Sequence, residues 1–218
     1  MKELLRRYGH VWILSYMFIY FAWFTWLEEN VRSNFHVMHI PLDDVIPFCE
    51  YFIIPYLSWF FYVAGTVLYF FFRDKQAYYR CCGMLFTGMT IALLICTVYP
   101  NGTDLRPGFY GDQNIFTHLV AELYSIDTCT NVFPSIHVFN SIATHLAIAR
   151  SETLGKNRVV CGLSLVLAVS ICLSTVFLKQ HSAADVIGAA VLAFLLYQVV
   201  YSIRRPKNPS HEQIRQKA

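Results

Sequence analysis

The chain has 218 residues, 56% of them apolar and only 14% charged, with a net charge of +3 and a mean hydropathy of +0.43. A soluble domain carries about 25% charged residues. The low charge, with the apolar residues gathered in long blocks, excludes a soluble globular domain and gives no footprint for nucleic acid; it defines an integral membrane protein of one domain.

Six apolar blocks follow in order, about 11–27, 47–72, 83–98, 132–149, 159–178 and 183–203. Each approaches the roughly 20 residues that a helix needs to cross a bilayer. The expected fold is all-α: one polytopic domain over 1–218, a six-helix transmembrane bundle with a long extracytoplasmic loop between the third and fourth spans. No small-residue cleavage site follows the first block, which is expected to stay as an anchor. Pro55 in the second block predicts a kink or tilt. The fourth block is the least hydrophobic, and its polar residues call for a function.

Every Lys and Arg except Arg32, Arg106 and Lys179 falls before the first block, between the second and third, between the fourth and fifth, or in the basic tail 204–218. The positive-inside rule then places both termini in the cytoplasm, with a bacterial plasma membrane as the expected setting. The segment 28–46 lies outside, with Phe35, Met38 and Leu42 as an interfacial stripe. Its His36 and His39 lack a third ligand, so no metal is expected there. The seven cysteines show no C-x-x-C pair and read as apolar filler, without a disulfide framework or zinc site. The loop 99–131 is irregular in its first half, and Ile115, Leu119 and Leu123 predict a helix in its second. Asn101-Gly-Thr forms a sequon that a glycan would fill only by crowding the outer face.

Three outward stretches carry the chemistry. The first, Tyr99 to Pro107, holds Arg106. The second, FPSIHVFNS over 133–141, suits a helix start, with Pro134 in the first turn and Ser135 and backbone N–H groups forming an anion site. His137 follows one turn in, and Asn140, Ser141, Thr144 and His145 continue a polar face. The third, STVFLKQHSAAD over 174–185, places His181 and Asp185 four residues apart, on one helix face. A carboxylate on one imidazole nitrogen orients the ring and frees the other as a nucleophile.

Together these predict phosphoryl transfer without metal or cofactor. His181 attacks phosphorus, Asp185 orients it, and His137 protonates the leaving oxygen. Arg106, Ser135 and Lys179 hold the phosphate oxygens, with Tyr99, Thr175 and Asn140 in support.

In order and spacing the three stretches resemble the motifs K-x6-R-P, P-S-G-H and S-R-x5-H-x3-D of the type 2 phosphatidic acid phosphatase superfamily. The resemblance covers nearly the whole chain. It implies a phosphohistidine at His181, an acid at His137, and phosphate ligands at Arg106 and Ser135. Tyr99 stands at the motif's Lys, Thr175 at its Arg and Ile136 at its Gly. These departures are similar to those of the inositol phosphorylceramide synthase branch, and fewer cations suit a phosphodiester better than a dianionic monoester. Three functions follow as expectations. The first is a lipid phosphatase acting on a phosphomonoester or diphosphate of a membrane lipid. The second is a lipid phosphotransferase that passes a phospho-head group to an alcohol. The third is a non-enzymatic transporter or scaffold. The expected partners are the bilayer and a lipid phosphate; oligomeric state has no signature.

Overall fold

The computed structural model describes residues 8–108 and 114–202. Lys2, Arg6 and Arg7, and the tail 204–218, on which part of the orientation argument rests, lie outside the described residues.

The described chain is helical. A 3-10 segment over Gly9–Ser15 leads into α1 (Tyr16–Asn30), and the short α2 (Pro41–Val45) follows. The long α3 (Ile53–Arg73) and α4 (Lys75–Val98) come next, then α5 (Ile115–Ile126). The chain closes with α6 (Ile136–Arg150), α7 (Arg158–Phe177) and α8 (Ala183–Ser202). Polar caps start the helices by accepting otherwise unpaired first-turn N–H groups. Asp74 accepts from Ala77 N, Asn114 from Phe116 N and Thr117 N, and Asn157 from Val159 N and Val160 N.

Five helical segments are long and apolar enough to cross a membrane: Gly9–Asn30, Glu50–Arg73, Lys75–Val98, Arg158–Phe177 and Ala183–Tyr201. Their outer faces carry exposed side chains such as Phe18, Phe61, Leu163, Val166 and Phe194. A girdle of that kind is at home only in hydrocarbon. The expected fourth span is the exception. Its helix, α6, has 15 residues. At about 1.5 Å per residue it falls short of the roughly 30 Å hydrocarbon core. Its lower hydropathy has a packing cause: Val138, Phe139, Asn140, Ser141, Ala143, Thr144, Ala147 and Ile148 are buried among α3, α4, α7 and α8. Protein rather than lipid surrounds it, so polar residues are tolerated. Small residues bring the backbones close. Ala143 and Ala147 of α6, and Ala189 and Ala193 of α8, lie in one buried cluster. A Cβ on Gly88 of α4 would run into the Phe139 ring.

Several boundaries differ from the sequence expectation. The loop expected between the second and third spans is the single residue Asp74, because α4 begins at Lys75 and carries Arg80 inside it. Pro55 falls in the first turn of α3, where it costs no hydrogen bond, so no kink is needed. Pro134 precedes the α6 cap Ser135 instead of entering the first turn, after a cis Phe133–Pro134 bond. The α5 helix forms as the spacing predicts, but Ile115 and Leu119 are exposed and Val120 is its buried apolar contact.

At one end of the bundle three loops are stitched together. β1 (His36–Val37) pairs in parallel with β2 (Asn101–Gly102), and Gly102 forms an antiparallel bridge with Thr130. Gly102 is required, since a Cβ there would meet the Phe35 ring and the Cys129 carbonyl. Asn101 is fully buried and accepts from Phe133 N at 2.7 Å through Oδ1 while its Nδ2 donates to Tyr99 O at 2.8 Å. The sequon asparagine is therefore a structural tie inside the protein.

Candidate active site

His181 sits on the turn between α7 and α8. Lys179 takes a left-handed φ of 52°, and the chain folds back so that Gln180 N and His181 N both donate to Thr175 O, at 3.0 and 3.1 Å. Thr175, fully buried, thus shapes the turn through its carbonyl. The start of α8 is held by two carboxylates, as helix N-termini favour. Asp185 Oδ2 accepts from Ser182 N at 2.9 Å. Asp43, which is 2% exposed, accepts from Ala183 N at 2.7 Å and from Ser182 Oγ at 2.6 Å. The same Asp185 Oδ2 lies 3.3 Å from His181 Nδ1. A carboxylate in that position favours the tautomer with the proton on Nδ1 and a lone pair on Nε2.

His137, in the first turn of α6, faces His181 with ring centroids 6.1 Å apart. Tyr56 of α3 stacks on the His137 ring at 4.6 Å, and Trp59 packs against it at a 48° tilt, 4.3 Å away. Aromatic faces on a neutral or cationic imidazole fix its plane without taking its nitrogens. The two rings are tilted by 57° to one another.

Both rings line a cavity of about 640 Å³. Its polar end is made by His137, His181, Asn140, Gln180, Asp127 and Glu28, with Thr128, Thr130 and Asn131 beside them. The rest is apolar and runs between α1 and α3, from Phe24 and Trp59 down to Val11 and Phe71, floored by Leu85, Phe86 and Met89 of α4. Residues 11 to 28, spanning the 3-10 segment and α1, cover roughly 25 Å or slightly more, close to a bilayer's hydrocarbon depth.

The structure brings His137, His181, Asp185 and Asn140 together at this end, and separates the expected phosphate ligands from it. Arg106 donates to the carbonyls of Tyr124 (3.3 Å), Asp127 (2.9 Å) and Thr128 (2.6 Å) and to Gln180 Oε1 (2.5 Å). Its guanidinium also lies 4.5 Å over the Tyr124 ring. Lys179 Nζ donates to Asp43 O at 2.7 Å and Ile46 O at 2.5 Å. Ser135 Oγ accepts from Val138 N, and its own N–H donates to Asp185 O. Tyr99 stacks flat on His36, 4.3 Å away. None of these five residues, counting Thr175, lines the cavity; they brace the loops that carry the residues that do.

Four contributors were invisible as site residues in the sequence. Gln180 couples Arg106 to Asp127 Oδ2, which also accepts from Tyr56. Glu28, at the end of α1, accepts from Thr128 Oγ1 at 2.5 Å and Asn131 Nδ2 at 2.8 Å. Asp43 belongs to the segment 28–46, which thereby docks onto the turn that carries His181. Burial pushes the Asp127 carboxyl above its ordinary pKa, with Glu28 adding to the rise and His181 and Arg106 opposing it. His39 sits between Asp44 and Asp104, and its hydrogen bond to Asp44 raises its pKa. Among the described residues no group of three His, Cys, Asp or Glu could hold a metal ion.

Compared with known proteins, the chain matches no family model, no curated protein and no solved structure.

Proposed function

We propose that the chain is a membrane lipid phosphatase that works through a phosphohistidine, in line with the motif resemblance to the type 2 phosphatidic acid phosphatases. The observation that carries this reading is the pair of facing imidazoles, 6.1 Å apart, at the polar end of an otherwise apolar cavity. The lipid tails occupy the groove between α1 and α3, and the phosphate ester lies between the rings.

In the first step His181 Nε2 forms a bond to phosphorus as the P–O bond to the lipid breaks. His137 gives its proton to the departing oxygen, which leaves as an alcohol. Asp185 stabilises the positive charge on the phosphorylated ring. In the second step water attacks phosphorus, His137 takes its proton, and the P–N bond breaks to restore His181. In this reading α6 serves as a sixth span, both termini are cytoplasmic and the site opens outward. The basic residues Arg73, Lys75, Arg150 and Arg158 lie at the helix ends remote from the site, with Lys156 in the loop between α6 and α7, which supports that orientation.

A second reading is favoured by the placement of the cations. No Lys or Arg lines the cavity among the described residues, so a dianionic monoester or diphosphate would meet little positive charge. A phosphodiester with one negative charge suits the site better. An alcohol in place of water would make the protein a phosphotransferase.

Both are tested by phosphate or phospho-head-group release from a panel of lipids, in detergent with EDTA, for wild type and His181→Ala. The expected result is release that persists in EDTA and vanishes in the variant, alongside an acid-labile, base-stable phosphoprotein in wild type alone. Turnover that survives His181→Ala would sink the phosphohistidine mechanism. Dependence on an added alcohol would favour transfer.

A further inference from the structure

We propose that the polar end of the cavity contains an ammonium subsite, bounded by Glu28 and Asp127, and that the lipid acted on is a phosphodiester with a choline- or ethanolamine-type head group. This rests on the phosphohistidine reading and names its substrate class.

The charge balance is the starting point. Glu28 and Asp127 both line the cavity beside His181. The hydrogen-bond donors to their carboxylates are neutral: Thr128 and Asn131 for Glu28, Tyr56 and Gln180 for Asp127. Arg106 donates directly only to the backbone carbonyl of Asp127 and reaches its carboxylate through Gln180, so it offsets that charge from a distance and leaves Glu28 without a cation. Among the described residues neither acid forms a salt bridge with a Lys or Arg. Both are partly buried, and a carboxylate drawn partly out of water is stabilised by a nearby cation.

A second observation points to a ligand. Asn140, 2% exposed, lines the same end of the cavity, and its Oδ1 has no hydrogen-bond partner. Buried acceptors are nearly always satisfied. An ammonium ion, with its N–H donors or its polarised methyl groups, supplies what Asn140 and the two carboxylates lack.

The walls favour an organic cation over a metal ion. Phe24 lies one helical turn before Glu28 and Tyr20 one turn before that, and both line the cavity, as does Trp59 of α3. Aromatic faces beside carboxylates make the cage that recognises quaternary ammonium groups. A divalent metal wants a fuller set of oxygen ligands than two acids and an amide provide. The arrangement also explains why the site tolerates two acids next to a phosphate. The head group brings the cation that the protein withholds, and its anionic phosphorus lies toward the imidazoles.

The test is equilibrium binding, which reads the subsite apart from catalysis. The purified full chain in a maltoside detergent is titrated with short-chain diacylphosphocholine and with diacylphosphoglycerol of equal acyl length, following tryptophan fluorescence. Tetramethylammonium chloride competes in one arm, sodium chloride at equal ionic strength in another and calcium chloride in a third. Wild type is expected to bind the choline lipid at least ~10-fold more tightly, a difference of about 1.4 kcal/mol. Tetramethylammonium should compete and sodium should not. Glu28→Gln should erase the preference while leaving the glycerol lipid bound as before. Equal wild-type affinity for the two lipids, or competition by calcium alone, would overturn the subsite, whether or not the variants fold. A choline preference without any His181-dependent turnover would keep the subsite and overturn the phosphohistidine reading. Turnover without the preference would do the reverse.

Discussion

Asp43 accepts a 2.6 Å hydrogen bond from the hydroxyl of Ser182, the residue that follows the candidate nucleophile His181. It also accepts from Ala183 N at 2.7 Å and from Ile40 N at 2.9 Å. One buried carboxylate thus joins the segment 28–46 to the turn that carries His181. Asp43→Ala would leave these donors unsatisfied, at a cost of about 1–3 kcal/mol. The expected outcome is a lower thermal midpoint in detergent and kcat reduced by ~10-fold or more, with KM little changed because the lipid groove is intact. Asp43→Asn, which retains an acceptor for Ala183 N, should fall between. A variant with altered KM and normal kcat would place Asp43 at the substrate instead of behind the turn.

The fate of Lys179 separates bracing from phosphate binding. Its ammonium donates to the carbonyls of Asp43 and Ile46, so the side chain ties down the same segment. Lys179→Ala should therefore lower stability and slow all substrates alike. The measurement is the ratio of kcat/KM for a lipid phosphomonoester to that for a phosphodiester. A phosphate ligand would matter most for the dianion, as lost oxyanion donors cost on the order of 10²-fold. An unchanged ratio is expected; a tenfold fall in it would return Lys179 to the phosphate.

The sequence disclosed the helices and the histidines for different reasons. Long apolar runs announce spans directly, and five of the six expected blocks form helices apolar enough to cross a membrane. The block at 132–149 was misleading in strength because burial within protein permits Asn140, Ser141 and Thr144. His137, His181 and Asp185 were legible because their motifs are local in sequence, although His181 sits on the turn before α8 and meets Asp185 from there instead of sharing a helix face with it. The charges were not. Whether Arg106 and Lys179 point at a ligand or at carbonyls depends on where Asp127, Thr128, Asp43 and Ile46 fold, tens of residues away. Glu28 and Asp43 carry no local pattern at all and became site residues only through loop docking.

The groove offers a test through chain length. Ala64 lines it midway along α3, between Trp59 near the histidines and Phe71 at the far end. Ala64→Phe places a ring in that path without touching the polar end. Lipids with long acyl chains should lose kcat/KM by ~10-fold or more, and short-chain analogues should be unaffected. The loss should lie in KM, since tail contacts are shared by ground and transition states. Equal losses for short and long chains would show that the tails do not lie between α1 and α3.

His39 gives the docked segment a pH dependence. Its Nε2 lies 2.9 Å from Asp44 Oδ1 and its Nδ1 3.3 Å from Asp104 Oδ1, bridging α2 to the loop after β2. The hydrogen bond to Asp44 is the main cause of its raised pKa, with Asp104 adding to it. A raised folded pKa means that the protonated ring favours the docked state. The clasp is therefore complete below the ordinary histidine value of about 6.5 and is lost as pH rises through the higher folded value. Because the ring is on the surface, salt should weaken the effect. Amide protection factors across 36–46, corrected for intrinsic exchange, should fall between about pH 6 and about pH 9 in wild type. His39→Gln should show the loosened state at every pH in that range. Protection that does not vary with pH in wild type, or varies equally in the variant, would remove His39 from the clasp and leave Asp43 and Lys179 as the ties that hold the segment down.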